Sequence, residues 1–77
     1  MTPTIGRIVL VAMSPDANNG ADVAPAIITR VWSDNRINVR VLADARPSAE
    51  SEWRTSVQLH DTRPESPKHD AWWPPRG

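Results

Sequence analysis

Apolar residues fall in short runs rich in Val, Ile and Thr, separated by proline, glycine and polar clusters. Such runs predict strands, because β-branched side chains fit a pleated surface. The first spans Ile5 to Met13, opens on Gly6-Arg7 and centres on the continuous run Ile8-Val9-Leu10-Val11. A run that is apolar at both parities predicts cover on both faces, as in a tightly curled barrel. Ser14 to Asp22 reads as a polar loop, in which Asn18, Asn19 and Gly20 suit positive φ. The next runs, Pro25 to Trp32 and Ile37 to Ala43, flank Ser33-Asp34-Asn35-Arg36. A two-residue turn at Asp34-Asn35 makes them a hairpin. That register pairs Trp32 with Ile37, Arg30 with Val39 and Ile28 with Val41. Ile28, Trp32, Ile37, Val39 and Val41 then share the core face with Arg30, while Arg40 lies on the other face. A one-residue bulge would change this assignment.

Ala43 to Ser51 reads as a second loop. Trp53 to Leu59 alternates cleanly: Trp53, Thr55, Val57 and Leu59 face one way, and Arg54, Ser56, Gln58 and His60 the other. That pattern predicts a half-buried antiparallel strand. Residues 60–70 form a polar connector, and residues 71–77 an aromatic, proline-rich terminal segment that can add a short fifth strand. Eight prolines leave little room for helix. The expectation is one all-β domain over residues 1–77, a small antiparallel SH3-like or partly open barrel of four to five strands. Curling the sheet removes exposed edges.

Composition narrows the function classes. A chain of 77 residues buries only ~60% of its unfolded surface. Small scaffolds of this kind gain stability by association, so a homo-oligomer is expected. The absence of cysteine excludes disulfides and thiolate-held metals. No apolar run approaches the ~18 residues of a membrane span. With no targeting signal, the expected location is cytoplasmic. Nine Lys+Arg balance nine Asp+Glu, which argues against avid nucleic-acid binding through phosphate neutralisation. No serine sits in a nucleophile elbow, and no glycine-rich phosphate loop or carboxylate pair occurs, so no catalysis and no cofactor are expected. His60-Asp61 and His69-Asp70 are too short and too divergent in direction to predict a metal site.

The candidate chemistry lies in the tail, Trp72-Trp73-Pro74-Pro75-Arg76. Side chains alternate along an extended segment, so one indole is expected to plug the barrel and the other to stay accessible. The prolines hold the segment stiff. An indole stacks a base for ~1–3 kcal/mol, and a guanidinium clamps a phosphate through two hydrogen bonds. A small anionic ligand, such as a cyclic nucleotide, fits this set. Arg30, Arg40 and His69 are further candidates for the site, and arginine is better suited than lysine to bidentate phosphate contacts.

Three segments resemble small proteins encoded by actinobacterial and other bacteriophages: Gly6-Arg7-Ile8-Val9, Ala26-Ile27-Ile28-Thr29-Arg30-Val31 and Trp73-Pro74-Pro75-Arg76. That group ends in Trp-His-Trp-Pro-x-Arg, a Trp-x-Trp-Pro-x-Arg-like motif. Here its first Trp falls on Ala71 and its His on Trp72. By analogy of context, the resemblance implies a phage anti-defence sponge that sequesters a nucleotide-type immune signal in the host cytoplasm. The alternative is a structural or protein-interaction module, either a virion accessory protein or an inhibitor of a host protein.

Overall fold

In the computed structural model, residues 1–44 and 52–75 are described. Most of the expected second loop, and Arg76 in the tail, lie outside them. Five strands form: β1 (Ile8–Ala12), β2 (Val23–Ser33), β3 (Arg36–Val41), β4 (Trp53–His60) and β5 (Asp70–Trp72). They close into a barrel in the order β1-β2-β3-β4-β5. The expected small all-β barrel is therefore observed, with the tail as its fifth strand and the ring complete. β5 closes it by pairing antiparallel to β1 and parallel to β4. No helix among the described residues is long and apolar enough to cross a membrane.

β1 is shorter than its apolar run predicts. Gly6 turns the chain at φ 94°, a conformation that glycine adopts without strain. Its N–H donates to the Ile28 carbonyl over 2.8 Å. In the 14–22 loop, a 3-10 turn covers Pro15–Ala17, and Asn19 and Gly20 take positive φ (49° and 91°), as the sequence predicts. Asn18 instead turns inward and is 2% exposed. Its Nδ2 donates to the carbonyls of Ala21 and Val23 over 2.9 Å each. Its Oδ1 accepts the Asp44 N–H over 2.6 Å. One buried amide thus ties the loop to the end of β3.

The β2–β3 turn sits where predicted, with Ser33 opposite Arg36. Beyond it the register slips twice. Thr29 and Trp32 are extra residues on β2, so Val31 pairs with Ile37, Arg30 with Asn38 and Ile28 with Val39. A third slip falls in β4 at Thr55-Ser56, where Val57 faces Ile37 but Arg54 faces Val39. Ser56 sits at φ 52° there. Each single-residue slip reverses the side-chain parity beyond it.

Val9, Val11, Ala24, Ala26, Ile28, Ile37, Val39, Val41, Val57, Leu59, Ala71 and Trp73 form the core. Four of the five expected hairpin core residues belong to it. Trp32 does not: the slip turns it out, and it is 54% exposed. Trp53 is likewise turned out by the β4 bulge and is 56% exposed. Arg54 takes the inward parity that the alternation assigned to Trp53. Its guanidinium pairs with Glu52 and donates to the Ala12 carbonyl over 2.9 Å. This side chain spans one barrel mouth from β4 to β1.

Candidate ligand-binding face

The outer face of β2–β4 is built by parity. Val39 and Val41 are buried, so Asn38 and Arg40 point outward. The extra residue at Thr29 moves Arg30 to the same outer side, opposite Asn38. The expectation that Arg30 and Arg40 lie on opposite faces is thereby corrected. Both are exposed, as is Arg36.

Each of the two predicted arginines lies beside an exposed indole. The Arg30 guanidinium carbon is 4.1 Å from the Trp32 ring centroid, well within cation–π range. The Trp32 Nε1–H donates to Asn38 Oδ1 over 2.8 Å. The same oxygen accepts the Ser56 N–H over 2.8 Å. Asn38 is 6% exposed, so Trp32 is anchored through its one polar atom to a buried amide while the residue as a whole stays exposed. Trp53 is paired with Arg40 across the β3–β4 ladder. Arg36 completes the row, its Nη1 donating to the Ser56 carbonyl over 3.0 Å.

The balanced net charge conceals a segregation. β1–β4 carry Arg30, Arg36, Arg40 and Arg54 and no carboxylate. Among the described residues every acid lies in a loop or turn, apart from Asp70 on β5. Among the described residues, strands that contribute aromatic rings and guanidiniums but no carboxylate suit a flat ligand that carries negative charge.

The tail takes a different role. Trp72 and Trp73 do point to opposite sides, but both are buried, at 3% and 7% exposure. The expected accessible indole is absent from this segment. Trp73 enters the core, with Arg7 5.3 Å from its ring. Trp72 points outward beside Leu10, where the connector folds over it and places Arg63 5.2 Å from its ring. Sheet alternation says nothing of such a cover, which explains the discrepancy. A cavity of ≈ 330 Å³ touches both indoles, walled also by Leu10, Val23 and Pro75 and edged by Asp61, Thr62 and Arg63.

The histidines hold the connector. His69 Nε2 lies 2.7 Å from the Thr55 carbonyl. A carbonyl only accepts, so that nitrogen carries the hydrogen. His60 Nε2 lies 2.9 Å from Asp70 Oδ1, while Asp70 Oδ2 accepts the Lys68 N–H over 3.0 Å. That backbone hydrogen bond, followed by His60, holds the Asp70 carboxyl below its ordinary value of 3.8. No group of three or more metal-ligating side chains is assembled among the described residues.

Of the sequence candidates, Arg30 and Arg40 share the outer face; Trp72, Trp73 and His69 are engaged elsewhere. The exposed indoles are Trp32, which the hairpin register predicts in the core, and Trp53, which alternation places on one face with Val57 and Leu59. One signal for them was present. An arginine among Ile28, Ile37, Val39 and Val41 is a parity conflict, and a bulge resolves it. Comparison with family models, curated proteins and solved structures finds no match to this chain.

Proposed function

We propose that the protein is a non-enzymatic binding module that holds a flat, anionic, nucleotide-type ligand against the outer face of β2–β4. The observation that carries this reading is Trp32: 54% exposed, anchored by Asn38 and paired with the Arg30 guanidinium at 4.1 Å. A base stacks on such a ring, and a neighbouring guanidinium takes a phosphate. Immobilising both in advance lowers the entropy lost on binding. The resemblance to bacteriophage proteins supports sequestration of a nucleotide immune signal, without turnover, in the host cytoplasm. Thermal-shift and calorimetric titration with mono-, cyclic and oligonucleotides test the reading. A saturable shift that Trp32→Ala abolishes is expected. No response to any of them would refute it.

A second reading, protein docking, is favoured by the apolar residues around Trp53. Ile8, Ile27, Arg40 and Trp53 are successive cross-strand neighbours on the outer face, and Ile8 and Leu42 are 42% and 41% exposed. Exposed apolar clusters of this kind mark interaction surfaces, whether with a second copy or with a host or virion protein. Sedimentation of wild type against Trp53→Ala, together with detection in purified virions, tests it. Monomeric behaviour and absence from virions would count against it.

A further inference from the structure

We propose that the ligand of this face carries at least two bases joined by a phosphodiester, the chemistry shared by single-stranded nucleic acid and cyclic dinucleotides. The inference rests on the reading that the face binds nucleotides, and it concerns how many are bound together.

A single nucleotide uses one stacking ring and one or two guanidiniums. The face offers two open rings, Trp32 and Trp53, and three exposed guanidiniums, Arg30, Arg36 and Arg40. These form repeated units rather than a single pocket. Trp32 is bound to Asn38 and stacked by Arg30. Trp53 is opposite Arg40. Trp32 lies on β2 and Trp53 on β4, so β3, with Asn38 and Arg40 on its outer side, runs between them, two strand spacings or ~10 Å across. A second base can therefore stack while its phosphodiester link lies over the arginines between the units. A mononucleotide leaves one ring unused.

Charge favours the same occupant. β2–β4 hold arginines and no carboxylate, while the described acids are set in loops and on β5. A phosphodiester backbone laid along these strands meets arginines and no carboxylate of β2–β4. The balanced total, which argues against nucleic-acid binding when charge is spread evenly, loses that force once the two signs are segregated. The anchored indole adds a second, independent observation. An exposed ring whose N–H is bonded to a buried amide is positioned in advance, as stacking platforms require.

The test compares an adenosine mononucleotide, a linear diadenylate, a cyclic diadenylate and a labelled ten-nucleotide oligomer. Each is titrated by anisotropy or calorimetry at several salt concentrations, with wild type, Trp32→Ala, Trp53→Ala and the two Trp→Phe variants. Both positions are exposed, so folding is checked by circular dichroism. The proposal expects at least one of the linked ligands to bind ~10-fold or more tightly than the mononucleotide. Either alanine variant should weaken that binding by about 5- to 150-fold, the range of one lost stack, and phenylalanine should restore part of it. Preference for the cyclic dinucleotide identifies a signalling ligand. Preference for the oligomer, with affinity falling as salt rises, identifies single-stranded nucleic acid. Equal affinity for mononucleotide and linked ligands, or indifference to Trp53→Ala, overturns the inference and leaves the nucleotide reading standing. No binding of any ligand overturns both.

Discussion

The four tryptophans divide into two buried and two exposed, and substitution separates their roles. Trp73 is 7% exposed and lies in the core. A tryptophan buries about 150–250 Å², which at ~25 cal/mol per Å² is about 4–6 kcal/mol. Large-to-alanine substitutions in cores cost a similar ~3–5 kcal/mol. A domain of 77 residues holds only about 4–12 kcal/mol in total, so Trp73→Ala removes roughly a quarter of its stability or more. Trp32 is 54% exposed. Less than half its area is at stake, worth about 1–2 kcal/mol once residual burial in the unfolded chain is discounted. Its truncation leaves no orphan, because Asn38 Oδ1 keeps the Ser56 N–H. Urea unfolding followed by far-UV circular dichroism reads both losses without relying on indole fluorescence. Trp73→Ala is expected to lose at least twice as much stability as Trp32→Ala, and only the latter to lose ligand while still folded. Equal losses would refute the assignment of Trp73 to the core and Trp32 to the surface.

Asn18→Ala removes three hydrogen bonds from a buried position and is expected to cost about 2–3 kcal/mol, read as a lower urea midpoint; a loss below 0.5 kcal/mol would show that water replaces the amide. The depressed carboxyl of Asp70 stabilises the fold above the unfolded value and ceases to do so as pH falls through the lower folded value. Asp70→Asn is therefore expected to be less stable than wild type at neutral pH, with the gap closing below about pH 4; a pH-independent gap would contradict this.

The sequence shows its strands more readily than its faces. Val, Ile and Thr runs between prolines mark four strands, and the Asp34-Asn35 turn fixes one end of the hairpin register. The tail strand is legible from Trp72-Trp73 after a polar connector. Arg30 among core residues signals a bulge in β2, but the positions of the slips at Thr29, Trp32 and Ser56 are not legible, because they depend on closing a small ring of twisted strands. From them follow the misplaced Trp32 and Trp53. The burial of Trp72 was hidden for another reason. Its cover comes from Arg63 in the connector, a contact without periodic signature.

The bulges have a structural logic that links fold to function. A closed barrel has no free edge, so a ligand must bind at a mouth or on an outer face. One mouth is spanned by Arg54. Inward parity is filled mainly by small aliphatic residues such as Val9, Val39 and Val57, and a barrel this narrow has little room for several indoles. An uninterrupted β2 would place Arg30 and Trp32 on that inward parity, leaving a buried charge among valines. The slip at Thr29 moves both outward and keeps Ile28 and Val31 facing the core side. The slip at Ser56 does the same for Trp53, and its freed N–H and C=O meet Asn38 and Arg36. Each irregularity that relieves the interior therefore adds an indole or a guanidinium to the same exterior face. Bulges cluster near functional sites in other sheets, and here their combined product is an outer surface where, among the described residues, aromatic rings, arginines and an anchoring amide converge.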